Sequence, residues 1–160
     1  MSQAHQPLMA LLEQAEAARG EAVQQFERGR QAHDTARQQL QSLHDFRKQY
    51  QDRWQQQFRQ AGGMEIMRCY QDFMTRMSEA ELEQQRRAEQ AHSYLERCRT
   101  LLIERERKVT AVTRLMERRA GEMLLKEQRR DQKATDEVAA RLHAANRSGP
   151  LSAMPVSGSS

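Results

Sequence analysis

The chain has 160 residues, of which 38% are hydrophobic, 5% aromatic and 30% charged. Compact domains run roughly 45–50% apolar, so a globule of this length is excluded, and the abundance of Ala, Leu, Glu, Gln, Arg and Met selects an extended helical assembly over disorder. The net charge of +4 is unevenly spread: residues 1–96 hold 12 Lys and Arg against 14 Asp and Glu (−2), and residues 97–160 hold 14 against 8 (+6).

Residues 1–7 contain no charged stretch followed by an apolar run, and nowhere do 18 consecutive apolar residues occur. Neither a signal peptide nor a membrane span is therefore expected, and the expected location is cytoplasmic. No proline lies between Pro7 and Pro150, and the glycines in that span are Gly20, Gly29, Gly62, Gly63, Gly121 and Gly149. Only the pair at 62–63 doubles the helix penalty of roughly 1 kcal/mol per glycine. Positive φ is cheap for both, which suits a helix C-cap followed by a tight turn. The first helix is thus predicted over about Gln6 to Ala61 and the second over about Met64 to Asn146.

In the first helix Leu8, Ala15, Ala22, Gly29, Ala36, Leu43 and Tyr50 recur every seven residues. Leu11, Ala18, Ala32 and Phe46 are read as the other half of this stripe, widened by Leu12, Phe26, Leu40 and Trp54. In the second, Ala88, Leu95, Leu102, Val109, Met116 and Met123 again fall seven apart, partnered by Ala91, Cys98 and Val112. The preceding set, Ile66, Tyr70, Phe73, Met77 and Ala80, is offset by one position, the mark of a stutter. Both segments carry coiled-coil seams.

With a turn at 62–63, antiparallel partners have numbers adding to about 125. Trp54 then lies near Tyr70, Ala36 near Ala88, Ala22 near Leu102 and Leu8 near Met116. Small residues face large ones along much of the length, which favours an intramolecular hairpin with arms of roughly 80 Å over a parallel homodimer, in which the small residues would meet themselves. The expected fold is all-α: a long antiparallel two-helix coiled-coil hairpin over 1–147, monomeric by itself, followed by a Ser/Gly/Pro-rich disordered tail over 148–160. The second arm outruns the first by about 20 residues, leaving "KEQRRDQKATDEVAARLHAANR" as an unpaired helical extension.

No phosphate loop, HExxH or nucleophile elbow is present, and two helices enclose no pocket in which to desolvate a substrate. The expectation is a protein that is not an enzyme, with no cofactor, no metal and no small-molecule substrate. Cys69 and Cys98 lack zinc or disulfide spacing and are read as small structural hydrophobes. His5, His33, His44, His92 and His143 are scattered and read as solvated. Six of the eight aromatics, Phe46, Tyr50, Trp54, Phe58, Tyr70 and Phe73, gather around the turn with Met64, Met67, Met74 and Met77. They either close the hairpin end or form a partner patch. Arg118, Arg119, Lys126, Arg129, Arg130 and Lys133 are interleaved with Glu117, Glu122, Glu127, Asp131, Asp136 and Glu137, which favours a solvated face or protein-docking tail over nucleic-acid binding.

"LQSLHDFRKQYQDRW", then "YQDFMTRM" and a closing "EQRRDQKATDEVAARL", resemble the flagellar export protein FliJ family over about residues 5 to 145. That resemblance implies a soluble, stalk-like component of the flagellar type III export apparatus, peripherally associated with the inner face of the cell membrane. Its implied partners are the export ATPase and its regulator, the cytoplasmic part of the export gate protein, and export chaperones. Implied roles are promoting ATPase assembly, coupling export to the proton motive force and escorting empty chaperones. Matching by position, the resemblance assigns gate binding to Gln39, Leu43, Phe46 and Tyr50 on the first helix and to Phe73, Met77, Ala80 and Gln84 on the second. Phe46 replaces a Tyr common in that pattern, Met77 a Leu, and Gln84 stands where a His can occur. Contact with the ATPase is assigned to Arg130, Asp131, Gln132, Lys133, Asp136 and Glu137. Alternatives are the equivalent stalk protein of a virulence type III secretion system, a generic homodimeric coiled coil, and a nucleic-acid binder.

Overall fold

The computed structural model describes residues 5–60, 63–149 and 158. Two helices carry the chain, α1 (His5–Gln60) and α2 (Met64–Arg147), and no strand occurs among the described residues. Both bounds lie within one residue of those expected, because the absence of internal proline and the glycine pair delimit the helices without help from packing. Among the described residues no helix is long and apolar enough to cross a membrane. The chain divides into two compact units, Met1–Val112 and Thr113–Ser160.

In the first unit α1 packs antiparallel to the early part of α2. As numbers rise along α1 they fall along α2: the Arg99 guanidinium sits 5.8 Å over the Phe26 ring, His33 meets His92, and Trp54 meets Tyr70. Small residues face large ones as expected. The Tyr94 ring lies 3.5 Å from where a side chain on Gly29 would begin, and Ala15 and Ala22 are only 3% and 2% exposed. Where the α1 residue has little or no side chain the helices come close, and larger α2 residues fill the remaining space.

The every-seventh set on α1 is buried from Leu8 through Ala36. Its companion set differs from the expectation except at Ala18, which is half-buried. Leu11, Ala32 and Phe46 are exposed, whereas Leu12, Phe26, His33, Leu40, Arg47 and Trp54, in the register one position later, are half-buried. The seam therefore advances in steps of four then three, and the Leu12, Phe26, Leu40 and Trp54 set is its second row rather than its widening.

On α2 the buried positions run Met77, Glu81, Gln84, Ala88, Leu95, Cys98, Val109 and Val112. Two successive steps of four, from Phe73 to Met77 to Glu81, place the stutter there. Ala80, expected in the seam, is exposed, and polar Glu81 and Gln84 take the interior.

The turn assigned to 62–63 lies partly outside the described residues, since Gly62 is not among them. Gly63 differs from the expectation: no described glycine has positive φ. Its carbonyl instead accepts a hydrogen bond from the Met67 N–H at 3.2 Å, so it is the residue that opens α2 rather than one that closes α1. Glu65 in the first turn complements the helix dipole. At the other end the Ser148 N–H and hydroxyl both donate to the Ala144 carbonyl, at 3.0 and 2.8 Å. The tail expected to be disordered lies outside the described residues apart from Ser148, Gly149 and Gly158.

Candidate functional site

Phe46, Tyr50, Trp54 and Phe58 are four residues apart, so each side chain stands one turn beyond the last and about 40° around the helix. Tyr70 and Phe73 of α2 insert against this ladder. Tyr50 and Phe73 stack at 3.8 Å between centroids, Phe46 meets Phe73 at 6.3 Å, and Tyr70 lies 5.5 Å from Trp54 and 5.8 Å from Phe58. All six rings form one connected array. The two readings of the cluster divide along it: five rings are half-buried and hold the helices together, while Phe46 is 48% exposed. The 40° drift per step carries Phe46 off the seam and onto the surface.

Phe46 borders an open groove of about 650 Å3 that also contains Gln39 and Leu43 from α1 and Gln84 from α2, completed by Thr35, Gln38 and Ser42. No charged residue lines it. Four of the eight residues matched to gate binding thus converge on one groove. Tyr50 and Phe73 stack behind Phe46, Met77 is buried in the seam, and Ala80 is exposed on α2.

Under the groove lies a polar layer that sequence reasoning missed. The Gln84 side-chain amide donates to the Ala36 carbonyl and to Gln39 Oε1, both at 3.1 Å. One turn away Arg47 donates to Glu81 Oε2 at 2.9 Å. Glu81 Oε1 is buried without a hydrogen-bond partner; His44 Nδ1 lies 3.7 Å from it, too long for a hydrogen bond. The one clue in the sequence was the spacing: Gln84 stands seven residues after Met77, and the stutter puts Glu81 where an uninterrupted heptad would have placed Ala80. A single layer of this kind fixes register, because sliding either helix by a turn leaves buried amide and carboxylate groups unpaired.

Two smaller expectations change. His33 is half-buried and meets His92 with ring centroids 5.3 Å apart, whereas His44 and His92 are exposed, as expected. Cys98 is buried as expected, but Cys69 is exposed. Contact with Cys98 raises the Tyr94 phenol above its ordinary ionisation range, with partial burial adding to the effect and Arg28 and Arg97 opposing it. Among the described residues no group of three or more His, Cys, Asp or Glu is placed to hold a metal ion.

In the second unit Arg130, Asp131, Gln132, Lys133, Asp136 and Glu137 all lie on α2 and are all exposed. At 100° per residue they do not share one face. Arg130, Lys133 and Glu137 fall on one side and Asp131 on the opposite one.

A family model described as Flagellar FliJ protein matches residues 4–148 of the chain. No curated protein and no solved structure gives a match.

Proposed function

The chain belongs to the flagellar FliJ family, and from that membership we propose that it is a non-enzymatic coupling and escort element of the flagellar type III export apparatus. Membership carries a flagellar export-related role and dealings with export components in general. The finer reading distributes partners over the two units. The groove and aromatic face of the first, with Gln39, Leu43, Phe46, Tyr50, Phe73, Met77, Ala80 and Gln84, receive the cytoplasmic part of the export gate. Residues 130–137 of the second engage the export ATPase and its regulator and promote ATPase assembly. By touching both, the protein helps to couple export to the proton motive force, and it escorts emptied chaperones. It works in the cytoplasm, peripherally attached to the inner face of the cell membrane.

The observation that carries this reading is Phe46. A large aromatic ring, 48% exposed, is backed by Tyr50 and Phe73 and edges a groove free of charge. A rigidly backed exposed ring is the kind of residue that anchors a protein interface, since little side-chain entropy is lost when it is covered. Gln39 and Gln84 are already held by each other, which pre-forms the groove wall.

The test is Phe46→Ala combined with Phe73→Ala, scored by helicity, binding to the purified cytoplasmic part of the gate protein, and motility. Loss of binding and motility at unchanged helicity is the expected result. Unaltered binding and motility would remove this surface from the proposal.

A further inference from the structure

Beyond Val112 the spacing of apolar residues along α2 changes. Up to Val112 the buried positions follow the four–three alternation of a heptad seam. From Met116 onward a second stripe runs through Ala120, Leu124, Ala134, Val138, Leu142 and Ala145. Met116 and Val138 stand two intervals of eleven apart, as do residues 120 and 142, and Ala134 and Ala145 are one interval apart. At 100° per residue the stripe stays within about 80° of arc for some eight turns. An eleven-residue period matches a nearly straight or slightly right-handed path, not the left-handed supercoil that a heptad imposes. Leu124, Val138 and Leu142 are 55%, 54% and 63% exposed.

The charges on this stretch are sorted. The only charged residues on the stripe are Glu127 and Asp131, at its midpoint, in the places that the eleven-residue interval assigns between Met116 and Val138 and between Ala120 and Leu142. Arg118, Arg119, Lys126, Arg129 and Lys133 project to the other half of the helix, while Arg130 and Arg141 flank one edge of the stripe. Among the described residues neither Glu127 nor Asp131 forms an ion pair, and the hydrogen bond nearby, from the Thr135 hydroxyl, goes to the Asp131 backbone carbonyl.

We propose that residues 116–145 form a docking face for an amphipathic helix of another protein that carries an apolar stripe and two basic residues at its centre. The two carboxylates decide the occupant. A second copy of this chain is disfavoured, because pairing about the midpoint, parallel or antiparallel, sets Asp131 against Asp131. A lipid surface is disfavoured as well, because burying the apolar stripe would carry two carboxylates into the acyl boundary, whereas a surface helix keeps its charges on the far side. A partner helix with Lys or Arg opposite Glu127 and Asp131 satisfies both; the cations on the far half of α2, about 10 Å across the helix, are largely screened at physiological salt, and Arg130 and Arg141 stay at the solvated rim of the face.

The test uses the full chain and two labelled synthetic helices of about 33 residues, three eleven-residue repeats, with Leu and Ala on the stripe. One has two central Lys residues and the other two central Glu residues. By fluorescence anisotropy, the wild-type chain is expected to bind the Lys helix about tenfold more tightly than the Glu helix. The variant E127K with D131K reverses that preference, and Leu124→Ser with Val138→Ser abolishes binding of both, all at unchanged circular dichroism. Equal binding of the two helices, binding of neither, or a preference that survives the charge reversal overturns the proposal. So does sedimentation equilibrium showing a dimer that Leu124→Ser with Val138→Ser dissolves, or tight binding to anionic vesicles by the wild-type chain.

Discussion

Replacing Arg47 by Met keeps most of the apolar stem and removes the guanidinium, which isolates the charge from the packing. Glu81, whose side chain is 12% exposed, then loses its 2.9 Å hydrogen bond and keeps only His44 at 3.7 Å. A fully buried carboxylate stripped of its partner costs about 3–5 kcal/mol. Here Arg47 is 34% exposed, so water reaches the vacated space and the cost falls to about 1–3 kcal/mol. Glu81→Leu should behave differently. It leaves Arg47 at the surface, free to turn into solvent, and puts an apolar side chain into an apolar seam, for a change of less than about 1 kcal/mol. With both replaced, stability should equal or exceed that of the wild-type chain. Urea unfolding of the four proteins, followed by helicity, completes a double-mutant cycle. If Glu81→Leu proves as damaging as Arg47→Met, the pair itself is the source of stability, and the argument from an orphaned buried carboxylate is wrong.

Two further substitutions examine the close approach of the helices. At Gly29 an added Cβ would meet the Tyr94 ring and the Leu95 backbone at 3.5–3.7 Å, ordinary van der Waals contact. Gly29→Ala should therefore raise stability by about 0.5–1 kcal/mol through helix propensity, a gain shared by Gly20→Ala, where nothing lies within 4 Å; a lower melting temperature for Gly29→Ala alone would mean that the helices are already in full contact. Ala22, 2% exposed, has no such room, and Ala22→Leu should cost about 1–3 kcal/mol by overpacking, seen as a lower urea midpoint; no loss would show that the seam can spread there.

The extent of both helices and their antiparallel pairing are carried by local chemistry that a sequence displays directly. Proline is missing from the interior, two glycines stand together, and small residues at one end of the numbering match large ones at the other. Much of the candidate site was legible for the same reason. Aromatics four apart on one helix must form a ladder, and the turn must bring Tyr70 and Phe73 to it.

Only the three-dimensional packing decided which side of that ladder faces outward. A seam residue's companion can stand three or four positions away; Leu11 and Leu12 are equally hydrophobic, and at Ala32 and His33 hydrophobicity points to the residue that is exposed. The choice depends on where the opposing helix lies, and one position is enough to turn Phe46 from core to surface. The same holds for Glu81 and Gln84. By composition they belong outside and Ala80 inside, yet Gln84 falls seven residues after Met77 and so in the seam, and the stutter turns Glu81 rather than Ala80 toward α1. There the Arg47 side chain, the Gln39 side chain and the Ala36 carbonyl compensate their burial, a compensation that exists only when residues some 35 to 50 positions apart are brought within hydrogen-bonding distance.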